Sequence, residues 1–216
     1  GIGNSTQVLA DTFPAAHIIG ADNSPDMLRY ARENHPGLEF IELDAAHDLE
    51  KLPEKYDLVF SNACLQWLPD HRTRIRELMG LLNAGGTLAV QIPSQAKHPV
   101  HHLLTETAHG ARWQGKITSF RQYNELTEEE YFDALSENAS AFRMWEIMYF
   151  FEMPSHESIL EWYRGTGLRP YLAQLCDEDK TAFEAEILDG IRKLYPVQKN
   201  GSIIFRFPRL FFAARK

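Results

Sequence analysis

The amino-acid sequence predicts an α/β fold built on a doubly wound, mostly parallel sheet with additional helical cover. Three observations predict it. Short apolar runs alternate with stretches of helical period over residues 1–95, which is the order that builds a parallel sheet. A glycine turn opens the chain and enters a helix, as in nucleotide-binding folds. The second half contains helical stretches that a core sheet does not need.

Length and composition exclude several classes of protein. The 216 residues are 44% hydrophobic and 24% charged, a balance typical of globular domains rather than disordered chains. Because no apolar run approaches the roughly 18 residues of a membrane span, we expect no membrane partner. The net charge of −8 argues against nucleic acid as the main ligand. The two cysteines are too few for a disulfide framework, which favours reduced thiols and a cytoplasmic location.

Charge is unevenly distributed along the chain. Residues 1–95 contain 7 lysines and arginines against 13 aspartates and glutamates, whereas residues 164–216 contain 10 against 6. An acidic first half followed by an arginine-bearing tail suits a small anionic ligand, although solvated surface charge gives the same pattern.

The first half reads as strands and helices in alternation. Ser24 is a predicted N-cap with Pro25 at the first helical position. Asp70 caps a second helix whose apolar residues extend to Leu82, and the glycine pair 85–86 separates that helix from the next strand. Apolar runs predict four strands, at residues 17–22, 38–43, 56–60 and 87–92.

The second half changes character. Thr127 and Glu130 form a capping-box pattern that opens a helix. Pro208 favours an edge or bulge position for the last strand. We therefore divide the chain into a ligand-binding core, a helical cap and two strands that complete the sheet: the core at 1–95, the cap at 96–140 and 155–195, and the strands at 141–154 and 200–216.

The opening glycines predict a ligand-binding turn. Gly1 and Gly3 precede a helix, and Asp22 ends the next strand 19 residues after Gly3. In this arrangement the turn admits a ligand to the helix N-terminus, and the acid can bind ribose hydroxyls. A turn with a strand-ending acid also arises for structural reasons alone. Because such a turn should follow a strand, we expect a further strand ahead of Gly1 at the centre of the sheet.

Several motifs together resemble the class I S-adenosylmethionine-dependent methyltransferases. The general ones are the turn 1–6, the Asp-Asn-Ser-Pro-Asp-Met-Leu run 22–28, the Asp-Ala pair 44–45 and the strand 56–63. More discriminating are the run 65–71, the Trp-Tyr-Arg-Gly-Thr-Gly-Leu-Arg-Pro stretch within 161–172 and the Phe-Arg-Phe-Pro-Arg ending at 205–211. These last motifs resemble the trans-aconitate 2-methyltransferases, over nearly the whole chain. The resemblance implies a Rossmann-like sheet with an antiparallel C-terminal strand and a helical cap or lid.

The resemblance also implies a site for the cofactor S-adenosylmethionine, with S-adenosylhomocysteine as product. Asp22 would accept from the ribose hydroxyls, Met27 would pack on the adenine, and Asp44 would reach the adenine amino group. Each has a structural alternative, such as helix core for Met27 and an Asx-turn for Asp44. The implied cofactor residues are Gly1, Gly3, Asp22, Ser24, Met27, Asp44, Ala45, Asn62 and Gln66.

The implied reaction is O-methylation of a small polycarboxylate to its monomethyl ester. A carboxylate is already deprotonated at neutral pH, so we expect neither a catalytic base nor a metal. Positioning and a cationic pocket would carry catalysis, and arginine suits that pocket because its planar fork pairs with carboxylate. Four arginines lie in the discriminating motifs and are candidates for this pocket: Arg164, Arg169, Arg206 and Arg209. The predicted substrate residues are Trp67, His71, Arg164, Tyr195 and Arg206.

Other functions stay open from sequence alone. One is a different small-molecule methyltransferase, for example one acting on a malonyl group bound to an acyl carrier. Another is a nicotinamide-dependent dehydrogenase, although the turn has no third glycine at the expected spacing. A third is a cofactor-binding regulator without turnover. A histidine group suggests zinc by its spacing but lacks the His-Glu-x-x-His arrangement, so we interpret it as a solvated or cap-contacting face: His98, His101, His102 and His109.

Overall fold

A computed structural model describes residues 1–52, 55–95 and 97–216. The helices are α1 (Asn4–Thr12), α2 (Pro25–Asn34), α3 (His71–Gly80), α4 (Pro99–His109), α5 (Glu128–Asn138), α6 (His156–Arg164), α7 (Arg169–Leu172) and α8 (Asp177–Leu194). The strands are β1 (Ile19–Asp22), β2 (Glu39–Glu42), β3 (Tyr56–Asn62), β4 (Leu82–Pro93), β5 (Ala141–Met153) and β6 (Ile203–Arg215). Short 3-10 turns lie at Leu49–Lys51 and Leu65–Trp67.

The chain divides into two compact units. Unit 1 comprises Gly1–Val90, Leu126–Arg143 and Phe212–Lys216, and unit 2 comprises Gln91–Glu125 and Met144–Phe211. The sequence predicts cap structure throughout 96–140, whereas α5 belongs to unit 1 and α4 to unit 2. The assignment of α5 to a cap stays a prediction.

The strands form two sheets. Strands β1 and β2 pair in parallel, with Asp22 opposite Glu42, and the other four strands follow the order β3-β4-β6-β5. Strand β6 runs antiparallel to β4, because the amide of Gly85 donates to the carbonyl of Lys216 while the amide of Ser94 donates to the carbonyl of Pro208. The predicted α/β class with a reversed last strand is confirmed. The expectation of a strand ahead of Gly1 stays a prediction.

Helix starts follow the predicted caps. The Ser24 hydroxyl accepts from the amide of Met27 at 3.4 Å. The Asp70 carboxylate accepts from the amide of Thr73 at 3.2 Å. In α5 both bonds of the capping box are present. These local bonds satisfy amides that have no partner within the helix, so short sequence patterns suffice to predict them.

Two predictions about the long strands are wrong. The sequence predicts a helix to Leu82, but α3 ends at Gly80 and β4 already begins at Leu82. Gly85 lies inside that strand with a φ of +79°, so it bends a strand rather than stopping a helix. Pro208 lies inside β6, which has a strand on each side, so the edge alternative is wrong, while the bulge alternative stays a prediction. Proline removes only the amide donor, and the Pro208 carbonyl still accepts from Ser94.

Unit 2 has its own hydrophobic core. Helices α4, α6 and α8 pack around the fully buried rings of Trp113, Tyr163, Phe183 and Phe205. The indole Nε1 of Trp113 donates to Glu186 at 2.7 Å, so its polar group is satisfied. This core holds helices α4, α6 and α8 together within unit 2.

The histidine group divides between its two predicted environments. His98 and His101 are 1% and 5% exposed within unit 2, so the solvated alternative is wrong for these two. His102 and His109 are exposed, as that alternative expects. Across the described ranges, no three His, Cys, Asp or Glu side chains form a cluster suited to a metal ion. None of the described helices is long and apolar enough to cross a membrane.

Candidate functional site

The glycine turn and the end of β1 lie side by side in unit 1. Gly3 caps α1 with a φ of +92°, which side chains rarely adopt. A Cβ at this position would collide with the ring of His35, and a Cβ at Gly20 would collide with the ring of Phe40. The turn therefore needs glycine for its backbone angle and for its close approach to neighbouring rings.

Asp22 joins the strand end to this turn. One carboxylate oxygen accepts from the amide of Ser24 at 2.8 Å, which fixes the side chain at the start of α2. The other oxygen accepts from the amino group of Gly1. The structure thus brings three of the predicted cofactor residues together around one carboxylate. Met27 is 43% exposed, so it is not the core residue of the alternative interpretation.

Asp44 lies in an Asx-turn after β2. Its carboxylate accepts from the amide of Ala46 at 2.9 Å and contacts the ring of His47 at 3.0 Å. These bonds, first the one to His47, lower the pKa of Asp44. The loop itself is held by Arg74, which donates to the carbonyl of Ala45 at 3.4 Å. Asp44 therefore has the local bonds of the structural alternative, and its cofactor role stays a prediction.

The end of β3 contributes amide groups. Asn62 donates to the Ser5 hydroxyl at 3.2 Å, which links this strand end to the first turn of α1. Gln66 is 6% exposed, and its amide oxygen is buried without a partner among the residues described. Trp67 is 55% exposed. Unit 1 thus contains the buried amide oxygen of Gln66, which lacks a donor among those residues, and next to it in the chain the exposed indole of Trp67.

His71 does not fit its predicted contact with substrate. Its ring is fully buried and hydrogen-bonds through Nδ1 to the hydroxyl of Tyr131 on α5. Burial lowers the pKa of His71. A substrate could reach this ring only if α3 and α5 separated, so we give His71 a structural role as the polar contact between these helices.

Arg164 is likewise occupied. Its Nε and Nη2 donate to the two carboxylate oxygens of Glu184 at 2.8 and 2.9 Å. Nη1 is also bonded to Glu161. A substrate carboxylate would have to displace two resident carboxylates, so we do not carry Arg164 into the proposed substrate site.

Tyr195 and Arg206 line one cavity of about 290 Å³ in unit 2, together with Pro99, Leu194, Pro196, Gln198 and Ile204. Burial raises the pKa of Tyr195 to about 12, and the nearby charge of Arg206 opposes that shift. The Tyr195 hydroxyl is buried without a hydrogen-bond partner in the described part of the chain. For Arg206 the described residues provide no acidic or hydrogen-bonded partner to the guanidinium. The structure thus brings these two predicted residues to one cavity.

Sequence reasoning missed His98 as a site residue. Its Nε2 contacts the backbone carbonyl of Arg206 at 2.8 Å, and its Nδ1 contacts the hydroxyl of Tyr163 at 3.0 Å. The signal in the sequence is weak, a histidine before the first proline of a helix. Its partners lie 65 and 108 positions away, so only the tertiary structure reveals them.

Comparison with known proteins identifies the family of the chain. A family model described as a methyltransferase domain matches residues 1–86. The trans-aconitate 2-methyltransferase of Escherichia coli O157:H7 (strain EC4115 / EHEC) is 39% identical over 217 residues, covering 100% of this chain and 83% of that protein. The protein of the same name from Rhodopseudomonas palustris (strain BisB5) is 37% identical, covering 100% of this chain and 84% of its own length.

Solved structures support the fold. The YcgJ protein of Bacillus subtilis matches with a TM-score of 0.60 and 14% identity, covering 100% of this chain and 89% of that chain. Phosphoethanolamine N-methyltransferase 2 of Haemonchus contortus, solved with S-adenosyl-L-methionine, matches with a TM-score of 0.55 and 16% identity, covering 99% and 46%. From the full-length matches to the curated relatives, the chain belongs to the methyltransferase family that contains the trans-aconitate 2-methyltransferases.

Proposed function

We propose that the chain is an S-adenosylmethionine-dependent carboxyl O-methyltransferase that forms the monomethyl ester of trans-aconitate or a similar small polycarboxylate. The relatives with that name, 39% and 37% identical over the whole chain, support the activity. One observation carries the substrate class. The Arg206 guanidinium borders a cavity with Tyr195 and has no acidic partner within the described ranges.

The residues of unit 1 fit the cofactor chemically. Asp22 offers a carboxylate acceptor to a ribose diol at the start of α2. The buried oxygen of Gln66 lacks a donor, which an amino group would supply. The proposed cofactor residues are Gly1, Gly3, Asp22, Ser24, Met27, Asp44, Ala45, Asn62 and Gln66.

The reaction requires little of the protein beyond positioning the substrate and the cofactor. When bound, S-adenosylmethionine supplies an electrophilic methyl group on a sulfonium sulfur. A carboxylate oxygen of the substrate would accept that methyl group, with the thioether as leaving group, and no proton would be exchanged. Arg206 would hold a non-reacting carboxylate by charge-assisted hydrogen bonds, with Tyr195 as an uncharged donor. Trp67 stays a predicted substrate residue, and its indole is exposed.

Product analysis tests the proposal. The full chain is incubated with methyl-labelled S-adenosylmethionine and either trans-aconitate or a malonyl acyl-carrier thioester, and the labelled products are separated and identified by mass. We expect a labelled monomethyl ester of trans-aconitate and no labelled carrier. Labelled carrier alone would favour the malonyl-specific alternative, and nicotinamide-dependent oxidation without methyl transfer would favour the dehydrogenase.

The proposal includes a cytoplasmic location. Cys64 and Cys176 are both free thiols. Free thiols persist in reducing compartments such as the cytoplasm.

A further inference from the structure

Gln91 and Arg209 form an incomplete polar pair in unit 2. The amide oxygen of Gln91 accepts from Nη1 of Arg209 at 2.8 Å. A guanidinium only donates, so the amide must turn its oxygen toward Arg209 and its nitrogen away. That nitrogen is buried and has no hydrogen-bond partner among the described residues. Gln91 is only 5% exposed, so this nitrogen is withdrawn from bulk solvent while it lacks an acceptor from those residues.

Arg209 is a cation in a partly apolar place. Its guanidinium lies 5.0 Å from the ring centre of Phe207 and 5.7 Å from that of Tyr149. Burial lowers the pKa of Arg209. Within the described ranges no carboxylate forms an ion pair with this group. A partly desolvated cation without a counterion is costly, and an anion would remove that cost.

Arg164, in the same unit, has the carboxylate partners that Arg209 lacks among the described residues. Arg164 is more exposed, yet it has two glutamates as partners, Glu161 and Glu184. Arg209 is less exposed and has a neutral amide instead. Arg209 and Gln91 therefore both have N–H groups that lack an acceptor in the described part of the chain. Its chemistry calls for a planar anion with two acceptor oxygens, which is a carboxylate.

We propose that Arg209 and Gln91 together bind a carboxylate of the substrate, with the aromatic rings of Tyr149 and Phe207 flanking it. The inference rests on the proposed function, since it adds a carboxylate subsite at this pair to the one proposed at Arg206. It predicts that the substrate has at least two carboxylates besides any one that reacts, one for each arginine.

Opposite effects on stability and on binding distinguish this role from a structural one. Gln91→Glu gives Arg209 a resident carboxylate, which should keep or raise the melting temperature but exclude the ligand. Arg209→Met removes the cation. The controls are Gln114→Glu and Arg76→Met, which make the same charge changes at exposed positions. Calorimetric titrations of trans-aconitate, fumarate and crotonate into each full-length protein, in the presence of S-adenosylhomocysteine, measure the dissociation constants.

We expect both site variants to weaken trans-aconitate binding at least about tenfold, the loss of roughly one charge-assisted hydrogen bond, while the controls stay within twofold. Unchanged binding in both variants, or a wild-type protein that binds none of the three carboxylates, would overturn the subsite. Wild-type binding of trans-aconitate without methyl transfer would instead contradict the proposed function and leave the subsite supported.

Discussion

The imidazole of His98 holds the backbone of Arg206, because its Nε2 donates to the Arg206 carbonyl at 2.8 Å. The other ring nitrogen faces the amide of Val100 at 3.3 Å and the hydroxyl of Tyr163 at 3.0 Å, both of which donate. These partners fix one neutral tautomer, with the proton on Nε2. Arg206 is thus anchored at its main chain while its guanidinium stays available at the cavity.

Loss of this anchor should weaken substrate binding. In His98→Gln the side-chain nitrogen can still donate to the Arg206 carbonyl, whereas the shorter His98→Asn side chain cannot reach it. We expect His98→Asn to raise KM for trans-aconitate about 3- to 10-fold, with kcat and the KM for S-adenosylmethionine nearly unchanged. His98→Gln serves as the matched control for lost packing. Steady-state kinetics on both variants decide the matter, and equal KM values in the two would remove His98 from substrate positioning.

The burial of His98 and His101 predicts that the stability of the protein depends on pH. Desolvation lowers the pKa of His98 to about 4 and that of His101 to about 3. The unfolded chain therefore takes up protons first, so the stabilisation is complete above pH 6.5 and is lost as the pH falls toward 4. For His98 the loss is at most about 3 kcal/mol.

Urea unfolding at pH 7, 6 and 5 measures this effect. The free energy of unfolding of the wild type should fall across the series, and His98→Asn should show a smaller fall because one of the two histidines is gone. If the free energy of unfolding of His98→Asn falls as much between pH 7 and pH 5 as that of the wild type, protonation of His98 does not contribute to the loss of stability.

Asp22 should dominate cofactor affinity in unit 1. Asp22→Ala removes a charged acceptor, so we expect S-adenosylhomocysteine to bind about 10- to 150-fold more weakly, or roughly 1.5–3 kcal/mol. Asp26→Asn on α2 is the control, since that carboxylate is 77% exposed and pairs only with Arg29 in the described structure. Calorimetry compares the three proteins. Equal affinity of the Asp22 variant and the wild type would place the ribose elsewhere.

Sequence patterns predicted what depends on near neighbours. The caps at Ser24 and Thr127 involve bonds over three residues, so their short signatures were sufficient. The start of β4 was misplaced, because strand pairing overrides the helical spacing that ends at Leu82. The edge alternative for Pro208 was wrong because the sequence does not reveal which of its backbone groups the neighbouring strands need.

The candidate site divides in the same way. The turn and Asp22 follow a local order along the chain, and the structure brings them together. Whether an arginine already has a partner depends on distant residues. Arg164 meets Glu184 from another helix, whereas Arg206 meets no carboxylate in the described structure. Sequence alone therefore predicts Arg164 and Arg206 equally, and only tertiary contacts separate the occupied arginine from the available one.

The most direct test of the account is kcat/KM for labelled methyl transfer to trans-aconitate, fumarate and crotonate, with the wild type and Arg206→Ala. The account predicts the order tricarboxylate, dicarboxylate, monocarboxylate for the wild type. Arg206→Ala should lower kcat/KM for trans-aconitate about 10- to 150-fold, the loss of one charge-assisted pair, and should change crotonate far less. Equal wild-type rates on all three acids, or an Arg206→Ala enzyme with undiminished kcat/KM for trans-aconitate, would contradict the central claim that unpaired arginines select a polycarboxylate.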